Sequence, residues 1–188
     1  GEYRLIQAGA PVRYTGRGGP LEGEYVLVIW ENKACPIIGG REEDGMPKIF
    51  ADIAQERHSG DNWFTAASYE SNTFLRLNFM KGRKLQENEI RQINEAPLTN
   101  NFGWRYIPEL GRAGAALSHP TLYPQEMRVD KAWEGGGRVE WLKFEPEMNM
   151  IQYRIISQMS GLPILRYVRA VMLRGSSRLN VGDSKSLI

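Results

Sequence analysis

Glycine and proline divide this chain into short segments. Its 188 residues include 20 glycines and 10 prolines. Between them lie short runs rich in β-branched and aromatic residues. The run from Tyr25 to Trp30 has so little polar alternation that we expect it to be buried on both faces. This pattern favours a mainly β domain, a β-rich α+β fold of short antiparallel strands with few helices.

The same segments predict individual elements. Strand pairs are expected at 12–15 with 25–30 and at 63–68 with 74–79. Further strands are expected at 104–107, 114–117, 127–132, 138–144 and 164–173, with a hairpin turn at 135–137. Helices are expected at about 86–94 and 148–159, where apolar residues share one face. We expect a single domain over residues 1–174 and a frayed tail at 175–188.

Composition excludes several classes of partner. The formal net charge is only +2, which gives no electrostatic reason to expect nucleic acid or an anionic membrane as a partner. The apolar runs are too short to span a bilayer. A single cysteine and two histidines argue against both an intrachain disulfide and a Cys/His metal site. Since no signal peptide is visible at the N-terminus, we expect a cytoplasmic protein.

Residues 39–51, with the sequence GGREEDGMPKIFA, carry the most distinctive chemistry. The glycines and the proline are expected to turn the chain, and Lys48 then opens an apolar run. Such an arrangement can place an amine at the mouth of an apolar pocket, where burial disfavours the ammonium form. A neutral amine attacks a ketone to give a Schiff base, which is an electron sink. The residues alone are also compatible with a solvated lysine that begins a strand and has no chemical role.

The segments Gly40–Glu42 and Gly45–Lys48 resemble the Gly-Arg-Glu-x-x-x-x-Pro-Lys signature of the acetoacetate decarboxylase family. Residues 10–16, 130–135 and 162–164 resemble flanking parts of that family in the same order. The resemblance implies an acetoacetate decarboxylase-like fold, a curved and barrel-like antiparallel sheet around an apolar pocket with a few peripheral helices. It also implies that Lys48 is the Schiff-base lysine, that the ligand is a small oxo acid, that no cofactor is needed, and that the protein is a homo-oligomer.

The chain departs from the family's decarboxylase at two pocket positions. Ile49 stands where the decarboxylase has a second lysine. The family's active-site glutamate lies two residues after a tyrosine that aligns with Tyr3, and Leu5 stands there in this chain. We expect Leu5, Ile49 and Met46 to contact the substrate as apolar parts of the pocket.

Three charged residues before Lys48 have alternative interpretations. Arg41 and Glu42 either clamp the backbone of the lysine segment or act in the site, Arg41 by contacting substrate and Glu42 as a proton relay. Asp44 lies four residues before the lysine, where related pyruvate aldolase-dehydratases carry a glutamine. It either hydrogen-bonds substrate and moves a proton, or it caps the turn at Gly45.

The resemblance therefore predicts a Schiff-base-forming lyase that decarboxylates an acetoacetate-like β-keto acid, with Lys48 as the nucleophile and Glu42 and Asp44 as candidate proton-transfer groups. Two alternatives stay open. One is pyruvate aldolase-dehydratase chemistry through the same lysine. The other is a non-catalytic module that binds a small molecule on the same fold.

Overall fold

The structure, a computed structural model, describes residues 2–16, 18–95, 99–179 and 181–188. Three helices are present among these residues: α1 (Ala34–Glu42), α2 (Glu87–Glu95) and α3 (Met150–Ser160). The strands in chain order are β1 (Leu5–Tyr14), β2 (Leu21–Glu31), β3 (Lys48–Phe50), β4 (Asp52–Ile53), β5 (Arg57–Ser59), β6 (Asn62–Tyr69), β7 (Asn72–Lys84), β8 (Thr99–Pro108), β9 (Ala115–Trp141), β10 (Ala170–Leu179) and β11 (Lys185–Ser186).

The chain forms two compact units. The first unit contains Gly1–Phe50, Glu95–Arg128 and Ser176–Ile188, and the second contains Ala51–Asn94 and Val129–Gly175. Strand β9 contributes its first part to one unit and its second part to the other. The single domain expected over residues 1–174 stays a prediction. Within the described residues, no helix is both long enough and apolar enough to cross a bilayer.

Strand β2 is the centre of the first unit. It pairs antiparallel with β1 along its whole length, and its other edge lies parallel to β3 and, over two residues, to β8. Val28, Ile29 and Trp30 are 3%, 4% and 0% exposed, so the end of this run is buried on both faces as predicted, but Leu27 within it is 42% exposed. Val26, Ile29 and Met46 form a core cluster against which Tyr123 packs.

Helix α1 was not expected, because the glycine pair at residues 39 and 40 was interpreted as a turn. Both glycines lie within the helix, and the absence of a side chain at Gly40 leaves room for the side chain of Lys48. A Cβ atom at Gly40 would lie 2.4 Å from Cε of Lys48, so the lysine side chain crosses the helix where no side chain stands. The turn expected at Gly45 is present, and its φ of +69° favours glycine.

The second unit contains the β6–β7 pair, which the sequence predicted. The pair turns through Glu70 and Ser71, both with positive φ. Strand β7 also pairs with the second part of β9. Helices α2 and α3 begin and end within two residues of their predicted bounds. Ile90 and Ile93 of α2 pack on a core of Leu85, Val129 and Ala132.

Two sequence predictions in the second unit are wrong. The glycines at 135–137 form no hairpin, because β9 runs through them as one strand. They allow close approach instead: a Cβ atom at Gly135 would lie 2.0 Å from the carbonyl oxygen of Met80, and one at Gly137 would lie 2.7 Å from Cβ of Ala170. The strand expected at 164–173 begins only at Ala170, where this packing starts.

The mainly β class is confirmed, but the antiparallel and barrel-like description needs correction. The sheet is mixed, because β2 pairs in parallel with β3 and β8. The pairing path of the described strands does not return to its first strand, so the sheet is not closed. The tail expected to fray carries the end of β10 and the short strand β11, which pairs with Thr121 and Leu122 of β9.

Candidate active site

The first unit contains a cavity of about 260 Å³. Its apolar and aromatic lining residues are Tyr3, Leu5, Ile29, Met46, Tyr123 and Leu179. Its polar lining residues are Gln7, Glu31, Lys48, Asn101, Gln125 and Ser177. Among the described residues that line it, Lys48 carries the only full positive charge and Glu31 the only full negative charge. The cavity therefore combines one ion pair with neutral hydrogen-bonding groups and an apolar surface.

Hydrogen bonds fix the backbone of Lys48 at both its N–H group and its carbonyl group. As the first residue of β3 it lies beside Ile29 of β2, and its N–H donates to the carbonyl oxygen of Met46 at 2.8 Å. Nη1 of Arg41 donates to the Lys48 carbonyl oxygen at 3.0 Å. The side chain passes over Gly40 and is only 13% exposed. The amine thus reaches the cavity from a fixed backbone and along a defined path.

Glu31 is the partner of the amine. Its Oε1 lies 2.9 Å from Nζ of Lys48, and its side chain is 0% exposed. Its Oε2 is also buried and has no hydrogen-bond partner among the described residues. A buried carboxylate oxygen without a partner is energetically costly. Glu31 is a lining residue of the cavity, so a ligand hydroxyl or a transferred proton could satisfy this oxygen.

Two tyrosine hydroxyls in the cavity remain protonated to high pH. Burial is the main cause that raises the pKa of Tyr3, and the negative charge of Glu31 adds to it. Burial likewise raises the pKa of Tyr123 to about 12, with further contributions from Asp44, Tyr3 and Glu31. Both phenols can therefore donate a hydrogen bond to a ligand without carrying charge.

Asp44 is buried but is not among the residues that line the cavity. It is 9% exposed, and its carbonyl oxygen accepts a 2.7 Å hydrogen bond from Oγ1 of Thr121. Burial raises the pKa of its carboxyl group, while the Ser184 hydroxyl and the charge of Lys48 act in the opposite direction. Its charge acts on both Lys48 and Tyr123, so Asp44 influences the cavity electrostatically.

The structure brings together only some of the predicted site residues. Lys48, Met46 and Leu5 line one cavity. Arg41 and Glu42 lie exposed on α1, and Arg41 has the geometry of a backbone clamp. Ile49 points away from Lys48 by strand alternation and is not among the residues that line the cavity.

Glu31 was missed by the sequence analysis, although one signal was available. It directly follows the apolar run that ends at Trp30, so a buried strand carries an acid at its last position. Tyr123, Asn101 and Gln125 had no comparable signal, because their position depends on the pairing of β8 with β9. Within the described parts of the chain, no three acidic, cysteine or histidine side chains are arranged to hold a metal ion.

A model of the acetoacetate decarboxylase (ADC) family matches residues 1–185 of the chain. The acetoacetate decarboxylase of Burkholderia mallei (strain NCTC 10229) is 25% identical over 184 residues, which are 97% of this chain and 68% of that protein. The acetoacetate decarboxylase of Paraburkholderia phytofirmans is 24% identical over 184 residues, which are 97% of this chain and 66% of that protein.

Solved structures share the fold. A crystal structure of acetoacetate decarboxylase from Legionella pneumophila superposes with a TM-score of 0.64 and 20% identity, covering 95% of this chain and 62% of that one. The chain thus spans about three fifths of the Legionella protein. The enduracididine biosynthesis enzyme MppR, complexed with the condensation product of pyruvate and imidazole 4-carboxaldehyde, gives a TM-score of 0.55 and 16% identity over 78% of this chain and 55% of MppR. At these identities the likeness concerns the fold alone.

Proposed function

Since the chain belongs to the acetoacetate decarboxylase family, we propose that it is a Schiff-base-forming lyase that removes carbon dioxide from a small β-oxo acid. The observation that carries the proposal is the 2.9 Å contact between the amine of Lys48 and the buried carboxylate of Glu31, in a cavity with an apolar surface. The amine supplies the nucleophile, and the carboxylate supplies a proton acceptor within hydrogen-bond distance.

Glu31 accepts and then returns one proton during formation of the Schiff base. The lysine ammonium transfers a proton to Glu31, and the neutral amine attacks the ketone of the substrate. The resulting carbinolamine takes the proton back from Glu31 as it loses water. One ammonium and one ketone thus yield one iminium and one water, and Glu31 returns to its carboxylate form. Its unpartnered Oε2 is suited to this exchange.

The apolar surface favours the next step. Before carbon dioxide leaves, the site holds an iminium cation and the carboxylate of the substrate. Breaking the bond between the α carbon and the carboxyl carbon moves its electron pair into the iminium, and both charges disappear. A cavity walled by Leu5, Ile29 and Met46 stabilises the uncharged enamine and carbon dioxide relative to the charged pair. A proton from solvent, delivered through Glu31, then converts the enamine to an iminium that water hydrolyses.

A second candidate is an aldolase-dehydratase reaction of pyruvate. This chemistry needs proton transfers at more than one carbon, since an iminium must lose a proton before condensation and water must leave afterwards. Asp44 favours it, because this second buried acid acts on both Lys48 and Tyr123. Either reaction is compatible with isoleucine, in place of a second lysine, at position 49.

Borohydride trapping followed by intact mass tests the proposal. Acetoacetate and pyruvate are offered separately to wild type, to Lys48→Ala and to Lys131→Ala, a control at an exposed lysine of β9. We expect an adduct in wild type and Lys131→Ala that is absent in Lys48→Ala. An adduct of acetoacetate that lacks its carboxylate supports decarboxylation, and a pyruvate adduct that grows when an aldehyde is added supports the second candidate. Complete absence of adducts from a panel of oxo acids would leave the non-catalytic binding module.

A further inference from the structure

Four neutral polar side chains form a hydrogen-bonded series along the cavity. Nε2 of Gln7 donates to Oδ1 of Asn101 at 3.3 Å, Nδ2 of Asn101 donates to Oε1 of Gln125 at 3.5 Å, and Nε2 of Gln125 donates to Oγ of Ser177 at 2.7 Å. All four residues line the same cavity as Lys48. We call them the amide series. The proton exchange proposed for Lys48 and Glu31 does not use them.

The amide series begins level with Lys48, because Gln7 pairs with Ile29 across β2, and it extends from there along the sheet to Asn101. Along the edge of β2, Lys48 lies beside Ile29 and Asn101 lies beside Glu24. These two positions on β2 are five residues apart, a separation of about 16 Å along the strand. The amine leans the other way, toward Glu31. A ligand that reaches from Lys48 to Asn101 and the members of the series beyond it must therefore be elongated.

The volume of the cavity agrees with a longer ligand. About 260 Å³ lies just below the range of roughly 300–1,000 Å³ that is typical of pockets for drug-sized ligands. Acetoacetate is a four-carbon acid, smaller than the ligands that pockets of this size usually hold, so it leaves part of this space unfilled.

The chemistry of the amide series restricts what occupies that space. Each side-chain amide nitrogen has two hydrogens, so Gln125 keeps one after its bond to Ser177, and the Ser177 hydroxyl keeps its own hydrogen. An anionic end group would find no arginine or second lysine among the described lining residues. It would also approach the carboxylate of Glu24, which accepts from Gln7 at 2.8 Å. The series is therefore suited to an uncharged hydroxyl or carbonyl.

We propose that the substrate is a β-oxo acid whose chain continues beyond the reacting ketone and carries an uncharged hydrogen-bonding group, which the amide series binds. This inference rests on the proposed Schiff-base function of Lys48. It names the specificity of that site, an extended oxo acid with a hydroxyl or carbonyl at its far end.

A matched series of acids tests the inference. Borohydride trapping at Lys48 is followed by intact mass as a function of the concentration of acetoacetate, of β-oxohexanoate, of the same acid with a terminal hydroxyl, and of the same acid with a terminal carboxylate. One added hydrogen bond should lower the half-saturating concentration of the hydroxy acid about tenfold relative to unsubstituted β-oxohexanoate. The terminal carboxylate should bind least well.

Variants connect this preference to the amide series. Gln125→Leu and Ser177→Ala should each bring the ratio of the two half-saturating concentrations toward one. Gln158→Leu, at an exposed position of α3, should keep the ratio of wild type. Equal labelling by the hydroxylated and unsubstituted acids, or strongest labelling by acetoacetate, would overturn the inference while leaving the Schiff base intact. Absence of a Lys48 adduct with every acid would overturn the proposed function as well.

Discussion

Leu5 and Glu31 are direct cross-strand partners in the antiparallel ladder of β1 and β2. Side chains at directly opposite positions share one face of a sheet, with Cβ atoms about 4.5–5.5 Å apart. The position where the family resemblance implies an acid is thus occupied by leucine, and the strand beside it carries the acid instead. A carboxylate at either position can reach the same region of the cavity.

Moving the acid across the strand pair tests this relationship. Glu31→Leu should slow trapping of the Lys48 adduct by about 10²–10⁴-fold, because the proton acceptor is lost. The double variant Leu5→Glu/Glu31→Leu should be trapped at least about tenfold faster than Glu31→Leu, because it again has a carboxylate, now on the neighbouring strand. The rate of borohydride trapping at saturating acetoacetate measures both effects.

A side chain of similar size without charge provides the control for this exchange. Leu5→Gln/Glu31→Leu places an amide where the double variant has a carboxylate. It should stay as slow as Glu31→Leu. Equal rates for the glutamate and glutamine versions would show that the exchange acts through packing and not through proton transfer.

The ion pair in the cavity should cost stability, because Glu31 is fully buried and the Lys48 side chain is nearly so. Removing one partner leaves an uncompensated buried charge, so Glu31→Leu alone should lower the free energy of unfolding by about 3–5 kcal/mol. Removing both charges in Glu31→Leu/Lys48→Met should be neutral or stabilise by about 1–4 kcal/mol. Urea unfolding of the four proteins gives the double-mutant cycle. A double variant less stable than both single variants would contradict this account.

Two neighbouring glycines of α1 should respond differently to alanine. A Cβ atom at Gly40 meets the flexible end of Lys48 at 2.4 Å, whereas one at Gly39 meets nothing within 4 Å. Gly40→Ala should therefore displace the amine and reduce trapping by about 10²-fold, the cost of a misplacement near 1 Å. Gly39→Ala should retain the trapping rate and stabilise the exposed helix by up to about 1 kcal/mol. Similar trapping rates in the two variants would show that Lys48 does not need the space above Gly40.

Tyr123 should make stability depend on pH in the alkaline range. Its pKa is raised in the folded protein from 10.0 to about 12, mainly by burial. The unfolded chain therefore loses this proton first. The contribution is fully present below pH 10.0 and is lost as the pH rises to about 12. The difference in unfolding free energy between wild type and Tyr123→Phe, followed by urea titration across this range, should fall with pH. Parallel curves would contradict the burial of the phenol.

The sequence predicted those elements that depend mainly on interactions between residues close together in the chain. The β1–β2 and β6–β7 pairs follow from short apolar runs separated by turns, and α2 and α3 follow from apolar residues on one face. Lys48 was identified through the family signature. Its place in the cavity lining is consistent with that assignment.

The remaining features depend on contacts between distant parts of the chain. Helix α1 lacks a clear apolar face and depends on contacts with the segment that follows it, since Met46 N–H donates to the Gly40 carbonyl oxygen and Lys48 passes over Gly40. Three consecutive glycines have the local signature of a turn, and only the approach of β7 explains why they lie within β9. Glu31 has a cationic partner only because β3 places the amine of Lys48 beside it.

The cavity draws its lining from three separated segments of the chain, with Tyr3 from the first and Leu179 from the last. Synthesis proceeds from the N-terminus, so Lys48 leaves the ribosome long before β10 does. Until then its amine is an ordinary solvated lysine without an enclosed surface around it. Contacts between such distant residues also form slowly during folding. Lys48 is therefore synthesised early, whereas the surface that lines the cavity around it is complete only after β10 has been translated.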